Sequence, residues 1–231
     1  MRNGKKSLRD RIGTIRFGNL ANKLFGKMEF GFMKFYRDKN TIKLFQEVLT
    51  EDPPLLLKPS ELFLIYTFAK NQSDLEGDFA EVGVFKGTSA KLICEAKKDK
   101  TLHLFDTFEG LPKVDRIDKK FRKNLYIADL EHVKKKLSKY SNVRFYKGLF
   151  PEVAFLPVKE TKFSFVHLDV DIYSSTKACI EFFYPKMVKG GIIISHDYHA
   201  GGVRKAFDDF LKNKSEKIIE LPMSQCMVIK G

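Results

Sequence analysis

The chain of 231 residues contains no tryptophan, only three cysteines and no long run of apolar residues. A membrane-spanning helix needs about 20 consecutive apolar residues, so we expect no transmembrane segment.

A disulfide framework or a zinc site needs several suitably spaced cysteines, whereas Cys94, Cys179 and Cys226 are far apart in apolar segments. We expect buried thiols in a reducing compartment. The basic N-terminus is not followed by the pattern of a secretory signal, and we expect a cytoplasmic protein.

Acidic residues are scarce at the start of the chain. Residues 1–40 contain eleven Lys and Arg residues against three Asp and Glu residues, so they carry +8 of the formal net charge of +13. Apolar residues are interleaved with these charges at partly helical spacing. The pattern predicts a basic helical extension over residues 1–58. Residues 1–40 could form a solvated tail, or contact an anionic membrane surface, a nucleic acid or an acidic partner. The helical segment before residue 60 could mediate a homo-oligomer.

From residue 59 onwards, short apolar runs alternate with longer amphipathic segments. The pattern predicts strands at about 79–84, 101–106, 142–147, 163–169, 191–196, 217–221 and 225–230. It predicts helices at about 88–98, 128–140, 174–187 and 201–213, preceded by a helix with Ser60 as its N-cap. Residues 59–231 should therefore form one Rossmann-like α/β domain. We expect a seven-stranded, mainly parallel sheet with one antiparallel strand and helices on both faces.

The end of the first predicted strand carries two glycines, Gly83 and Gly87, and leads directly into a helix. Glycines at such a turn allow the backbone to approach a ligand closely, and a helix N-terminus offers N–H groups to an anion. Asp106 ends the next predicted strand, 23 residues after Gly83, where an acidic residue can bind a ribose hydroxyl. The two features together favour a nucleoside-containing cofactor over a purely structural turn.

Carboxylates and histidines follow the fourth and fifth predicted strands. Asp169 and Asp171 come after the fourth strand, and His196, Asp197 and His199 come at the end of the fifth. Since the carboxyl ends of parallel strands share one edge of a sheet, these side chains should lie on one rim, where carboxylates suit a hard divalent cation such as Mg²⁺. Alternatively, Asp171 caps the following helix and the histidines make ordinary hydrogen bonds.

Four runs of sequence carry a resemblance to a known family. They are the glycine turn, Asp106–Pro112, Leu168–Thr176 and Gly190–Tyr198. In order and spacing over roughly residues 60–215, they resemble the macrocin O-methyltransferase (TylF) family, whose members are class I S-adenosylmethionine-dependent methyltransferases. Catechol O-methyltransferase is a more distant similarity. The resemblance implies O-methylation of a sugar or another small-molecule hydroxyl, with help from a divalent metal.

The resemblance also implies roles for individual residues. The S-adenosylmethionine site would be formed by Glu81, Gly83, Val84, Gly87, Thr88, Ser89, Asp106, Thr107, Gly148, Phe150 and Asp169. A Mg²⁺ ion, or another divalent cation, would be bound by Asp169, Asp197 and His196. The family usually has an aspartate at the position of His196, and an imidazole is a poor ligand for Mg²⁺ but suits a transition metal.

Transfer to a hydroxyl oxygen requires removal of its proton, for which a histidine near neutral pKa is suited. We predict His199 as the base, with His196 as the second candidate. The loop over residues 113–123 contains six Lys and Arg residues against Asp115 and Asp118, which indicates either a solvated loop or a lid over an anionic acceptor.

Two other functions remain open. The Asp169–Asp171 pair is a D-x-D pattern, as in metal-dependent glycosyltransferases. The basic N-terminus would also suit a nucleic-acid methyltransferase or a non-catalytic adapter on nucleic acid or membrane. Because the chain contains no RNA-recognition signature, we expect no nucleic-acid partner.

Overall fold

The computed structural model describes the backbone of residues 16–51 and 56–231, with side chains from residue 24 onwards. The chain divides between Ser60 and Glu61 into two compact units. The first unit contains helices α1 (Arg16–Tyr36) and α2 (Lys39–Glu51). Residues 1–15 of the predicted basic extension lie outside the described part. The division into a basic helical extension over residues 1–58 and a methyltransferase domain over residues 59–231 stays a prediction.

The second unit begins within helix α3 (Pro59–Gln72), whose first two residues belong to the first unit. Its elements run β1 (Asp78–Val82), α4 (Thr88–Ala96), β2 (Leu102–Asp106), α5 (Leu130–Leu137), β3 (Val143–Lys147), β4 (Phe163–Leu168), α6 (Tyr173–Phe183), β5 (Met187–Ser195), α7 (Gly201–Leu211), β6 (Ile219–Glu220) and β7 (Cys226–Ile229). Short 3₁₀ turns lie at Glu152–Ala154 and Tyr184–Lys186. Among the described residues, no helix has both the length and the apolar character needed to cross a membrane.

The seven strands form one sheet in the order β3-β2-β1-β4-β5-β7-β6. Strands β1 to β5 are parallel to their neighbours, and β7 pairs antiparallel with both β5 and β6. The predicted fold class, a mainly parallel seven-stranded sheet with one antiparallel strand and helices on both faces, is confirmed. The strand order reverses between β1 and β4, so a ligand crevice is expected at the carboxyl ends of these strands.

Phenylalanine fills the core of the second unit. Phe79, Phe105, Phe163, Phe165 and Phe183 are fully buried. The rings of Phe163 and Phe183 pack edge to face with centroids 5.1 Å apart, and Phe150 stacks on Phe183 at 5.3 Å, which are favourable aromatic geometries. This packing explains how a chain with 22 phenylalanines and no tryptophan forms a dense core.

The three cysteines are buried and unpaired, as expected. Burial raises the pKa of Cys94 to about 12, and it also raises the pKa values of Cys179 and Cys226. A thiol must ionise to react or to bind a metal, so these three side chains serve as apolar core residues.

Two predicted helix boundaries are wrong. Ser60 is not an N-cap, because the helix already begins at Pro59, and proline is favoured in the first turn, where its missing N–H is not needed. The helix predicted over about 174–187 ends at Phe183, since Pro185 cannot donate the next helical hydrogen bond. Strand β5 then begins at Met187, earlier than predicted.

Candidate active site

The glycine turn joins β1 to α4 at the point where the strand order reverses. Gly83 has φ +87°, and a Cβ atom there would lie 1.9 Å from the carbonyl oxygen of Asp169. Gly87 has φ +74° and precedes α4, which begins without a side-chain cap. Both positions require glycine. The uncapped start of α4, with Thr88 and Ser89 in its first turn, offers its N–H groups to a ligand.

Asp106 ties the end of β2 to the glycine turn. Its Oδ2 accepts hydrogen bonds from the backbone N–H groups of Val84 (2.7 Å) and Phe85 (2.8 Å), and its Oδ1 accepts one from Phe108 N–H (2.7 Å). Burial raises the pKa of Asp106, although these three donors act in the opposite direction. Asp106 therefore has a structural task in addition to its predicted one, and ribose binding stays a prediction.

Glu81 lies beneath the same turn and is completely buried. Its Oε1 is 2.8 Å from His167 Nδ1, on the neighbouring strand β4. Burial raises the pKa of Glu81, opposed by this histidine and by Ser89. The buried pair stabilises the floor of the turn, and direct contact between Glu81 and a cofactor stays a prediction.

The remaining predicted cofactor residues lie in two short turns. The Thr107 hydroxyl donates to the Gly110 carbonyl at 2.8 Å and accepts from Glu109 N–H at 3.1 Å, which closes the turn after β2. Gly148 N–H donates to the Asp106 carbonyl at 3.0 Å, so the end of β3 lies beside that turn. The Phe150 ring packs into the aromatic core, against Phe105 and Phe183.

Asp169, His196 and Asp197 come together as predicted, at the ends of β4 and β5. His196 Nδ1 lies 3.3 Å from Asp169 Oδ1 and 3.1 Å from Asp197 Oδ2. Burial acts to lower the pKa of His196, but the charge of Asp169 and the close approach of both aspartates outweigh it, so that this pKa lies well above its usual value. A carboxylate pair around one imidazole favours the imidazolium.

Two residues that the sequence did not indicate hold the other side of the His196 ring. Ser224 Oγ lies 2.8 Å from His196 Nε2, and Glu61 Oε1 lies 3.4 Å from it. The Ser224 hydroxyl also donates to Glu61. Glu61 lies in the first turn of α3, far from His196 in sequence, and Ser224 lies in the turn before β7. No local pattern could therefore connect either of them with His196.

Asp171 belongs to the same cluster. Burial, together with the charges of Asp169 and Asp197, raises the pKa of Asp171 well above its usual value. The pKa of Asp197 is lowered, because its close contacts with His196 and Asp171 outweigh its burial. Opposite shifts of this kind are expected of two carboxyl groups that lie close together.

The helix-capping alternative for Asp171 is wrong. Helix α6 begins at Tyr173 without a cap from its own segment. Instead, Asp118 Oδ2 accepts from Tyr173 N–H at 2.9 Å and Asp115 Oδ2 accepts from Ser174 N–H at 3.0 Å. The two acidic residues of the basic loop therefore attach this loop to the helix that follows the acidic rim.

His199 and Tyr126 complete the surroundings of the rim. His199 Nδ1 lies 3.7 Å from Asp197 Oδ1, and its side chain is 53% exposed, so it is accessible to an acceptor. Tyr126, which the sequence did not indicate, packs its ring edge-on against Phe85 at 5.8 Å. Burial and the nearby rim carboxylates raise the pKa of Tyr126 to about 12.

Asp169, His196 and Asp197 fit a divalent cation. Each offers one ligand atom, and these atoms all lie within 4.8 Å of one another. His196 Nδ1 is buried and has no hydrogen bond of good geometry, as expected of a nitrogen that can bind a metal. One nitrogen and two oxygen donors suit a transition metal better than Mg²⁺.

A profile of the macrocin-O-methyltransferase (TylF) family matches residues 67–228, which include the glycine turn, Asp106 and the whole rim. This chain belongs to the TylF family. A 4'-O-methyltransferase of Streptomyces olivaceus that acts on 8-demethyl-8-(2,3-dimethoxy-alpha-L-rhamnosyl)-tetracenomycin-C is 30% identical over 58% of each chain. The chain thus spans little more than half the length of this TylF relative.

Solved structures share the TylF fold. The O-methyltransferase NovP superposes with a TM-score of 0.68 at 22% identity, covering 92% of this chain and 98% of NovP. An O-methyltransferase from Bacillus cereus in complex with S-adenosylhomocysteine superposes with a TM-score of 0.57 at 12% identity, covering 81% of this chain and 91% of that one. These comparisons favour neither the glycosyltransferase nor the nucleic-acid methyltransferase alternative.

The contact between Gly83 and Asp169 predicts the effect of one added methyl group. Gly83→Ala should abolish binding of S-adenosylhomocysteine in calorimetry and lower the free energy of unfolding by about 1–3 kcal/mol, because alanine is strained at positive φ and has no room. Gly201→Ala is the matched control, since nothing lies within 4 Å of a Cβ atom there. Unimpaired binding by Gly83→Ala would contradict the role given to the turn.

Proposed function

We propose that this protein transfers the methyl group of S-adenosylmethionine to a hydroxyl oxygen of a sugar or another small molecule. The observation that carries the proposal is the glycine turn at the point where the strand order reverses. Gly83 packs directly against the Asp169 backbone, and Asp106 accepts hydrogen bonds from the turn's N–H groups. Membership of the TylF family and the rhamnosyl substrate named for the Streptomyces relative support a sugar hydroxyl.

The cofactor would lie across the carboxyl ends of β1 and β2. The methionine part would contact the glycine turn and the first turn of α4, from Gly83 to Ser89. Asp106, with Thr107 beside it, would face the ribose, and the segment from Gly148 to Phe150 would border the adenine. The ordered turn and the N–H groups at the start of α4 suit a carboxylate-bearing nucleoside ligand.

S-adenosylmethionine, when bound, supplies a sulfonium methyl group for in-line displacement. His199 accepts the proton of the attacking acceptor hydroxyl, whose oxygen forms the new bond to the methyl carbon. Asp197 lies beside this histidine, with its Oδ1 atom 3.7 Å from His199 Nδ1. His196, the second candidate, is buried between carboxylates and has a pKa well above its usual value, so less of it is in the unprotonated form that a general base needs at neutral pH.

Asp169, His196 and Asp197 would hold a divalent cation, Mg²⁺ or a transition metal. Such a cation lowers the pKa of a hydroxyl bound to it. Glu61 and Ser224 orient the His196 ring from its Nε2 side, which leaves Nδ1 directed at the two aspartates. Orientation of a ligand histidine by a neighbouring carboxylate increases metal affinity.

The acceptor would carry a negative charge. The six basic side chains of the loop over 113–123 are exposed, whereas its two carboxylates, Asp115 and Asp118, are engaged at the start of α6. The loop therefore presents a positively charged surface next to the rim. A phosphate or carboxylate on the acceptor would be attracted to it.

A cytoplasmic location, an anionic membrane contact through residues 1–40 and assembly into a homo-oligomer stay predictions. The basic charge of residues 1–40 supports the membrane contact.

Methyl transfer is tested with radiolabelled S-adenosylmethionine and a rhamnosylated acceptor. His199→Ala should lower kcat about 10²- to 10⁴-fold, because no base remains to accept the proton of the acceptor hydroxyl. Calorimetry should show unchanged binding of S-adenosylhomocysteine. His132→Ala, which removes an exposed histidine of α5, is the control. If the wild-type protein binds neither S-adenosylmethionine nor S-adenosylhomocysteine, the proposed function is wrong.

Metal binding is tested by electron paramagnetic resonance of Mn²⁺. We expect one bound Mn²⁺ per chain, with an affinity that rises with pH because the raised pKa of His196 keeps a proton where the metal binds. His196→Asp should shift the preference towards Mg²⁺, whereas His132→Ala should not. Equal Mn²⁺ binding by the wild type and His196→Ala would show that the metal is bound elsewhere.

The charge of the acceptor is tested by reversing loop charges. Lys119→Glu with Lys120→Glu should raise KM for a phosphorylated acceptor about tenfold, equivalent to about 1.4 kcal/mol, and leave KM for its neutral analogue unchanged. Lys212→Glu with Lys217→Glu changes the net charge equally at exposed positions in another segment. A rise in KM of the same size for both acceptors would argue against recognition of charge.

A further inference from the structure

Helix α1 exposes a continuous apolar face. Six large side chains on it are between 40% and 82% exposed, with Phe35 and Tyr36 the most exposed. These residues, called here the α1 face, are Leu24, Phe25, Met28, Phe32, Phe35 and Tyr36. Their three- and four-residue spacing places them on one side of the helix over several turns.

Two contacts within the same unit lie beside the α1 face. Glu29 accepts a hydrogen bond from Ser60 N–H at 3.4 Å, and a Cβ atom on Gly26 would lie 3.7 Å from the Pro59 ring. Glu29 and Gly26 therefore position helix α1 from one flank, while the six side chains of the α1 face stay exposed. Exposed apolar patches of this extent are rare on monomeric proteins and mark interaction sites.

Positive charge borders the α1 face. Lys27 follows Leu24 by three residues, and Lys34 precedes Phe35; both are exposed, and Lys34 Nζ lies 5.1 Å from the centre of the Phe30 ring. Helix α1 contains four Lys and Arg residues against one Glu, a net charge of +3. A second copy of the helix would bring the same positive charge to the face, and like charges repel. An anionic surface is complementary to both the apolar and the charged part.

We infer that the α1 face docks on the surface of an anionic lipid bilayer. The helix lies in the plane of the membrane, with its apolar side chains at the boundary between headgroups and acyl chains and with Lys27 and Lys34 at the level of the phosphates. The inference concerns helix α1 alone and does not depend on the proposed methyl transfer.

The test is co-sedimentation of the full-length chain with vesicles. The wild type should bind vesicles of phosphatidylglycerol and phosphatidylcholine but not vesicles of phosphatidylcholine alone, and high salt should weaken binding because it screens charge. Phe32→Gln with Phe35→Gln should lower the partition coefficient about tenfold or more, since two large side chains no longer leave water. Lys27→Glu with Lys34→Glu should also lower it.

The control is Phe155→Gln with Leu156→Gln, which removes two similarly exposed apolar side chains from the second unit, 63% and 82% exposed. This variant should bind vesicles like the wild type. Calorimetry with S-adenosylhomocysteine and thermal unfolding show that each variant is folded. The inference is overturned by absent binding to anionic vesicles, by undiminished binding of Phe32→Gln with Phe35→Gln, or by equal loss in the control. A wild-type dimer that this same α1 variant converts to monomer would assign the face to a second copy instead.

Discussion

The site is built around a backbone contact that only glycine permits. Strands β1 and β4 are neighbours where the strand order reverses, and Gly83 meets the backbone of Asp169 there with no room for a Cβ atom. Backbone hydrogen bonds from Gly83 to Phe105 (3.0 Å) and from Asp169 to Val82 (2.9 Å) join the ends of β2, β1 and β4. The glycine turn and the acidic rim, far apart in sequence, become two sides of one site because of this approach.

The rim depends on compensation of buried charge. Asp169, Asp171 and Asp197 lie close together, and like charges at short range cannot all stay ionised without a cation. His196 lies between Asp169 and Asp197 and has a pKa well above its usual value, and the pKa of Asp171 is also raised. An aspartate in place of His196, the residue that the family resemblance implies, would add negative charge and increase the demand for a metal. His196 lessens that demand while it keeps a ligand atom directed at the same point.

The basic loop after β2 is attached to the rest of the second unit by its two aspartates. Its lysines and arginines are exposed, as a solvated loop would be, yet Asp115 and Asp118 cap helix α6. Asp118 also packs against the start of α7, where a Cβ atom on Gly202 would lie 1.9 Å from Asp118 Oδ1. The positive charge is therefore held beside the rim by carboxylates from the same loop.

Much of the fold and part of the site could be predicted locally. The alternation of apolar runs and amphipathic segments predicted the sheet. Gly83, Asp106, Asp169 and Asp197 could be located because each of them lies at or just after the end of a predicted apolar strand. The errors at Ser60 and near Phe183 came from prolines, whose effect depends on whether the helix has begun or must stop.

The sequence by itself determined where the strands lie along the chain, which glycines form the turn and which acidic residues end the strands. These features follow from short-range periodicity and turn chemistry. Only the tertiary structure decided what those residues touch. It brought Glu61 and Ser224 to His196, placed Tyr126 near the rim, gave the capping of α6 to Asp115 and Asp118 instead of Asp171, and left the α1 face exposed. The physical reason is that hydrogen bonds and charge pairs act over a few ångströms in space, between residues whose separation along the chain carries no signal.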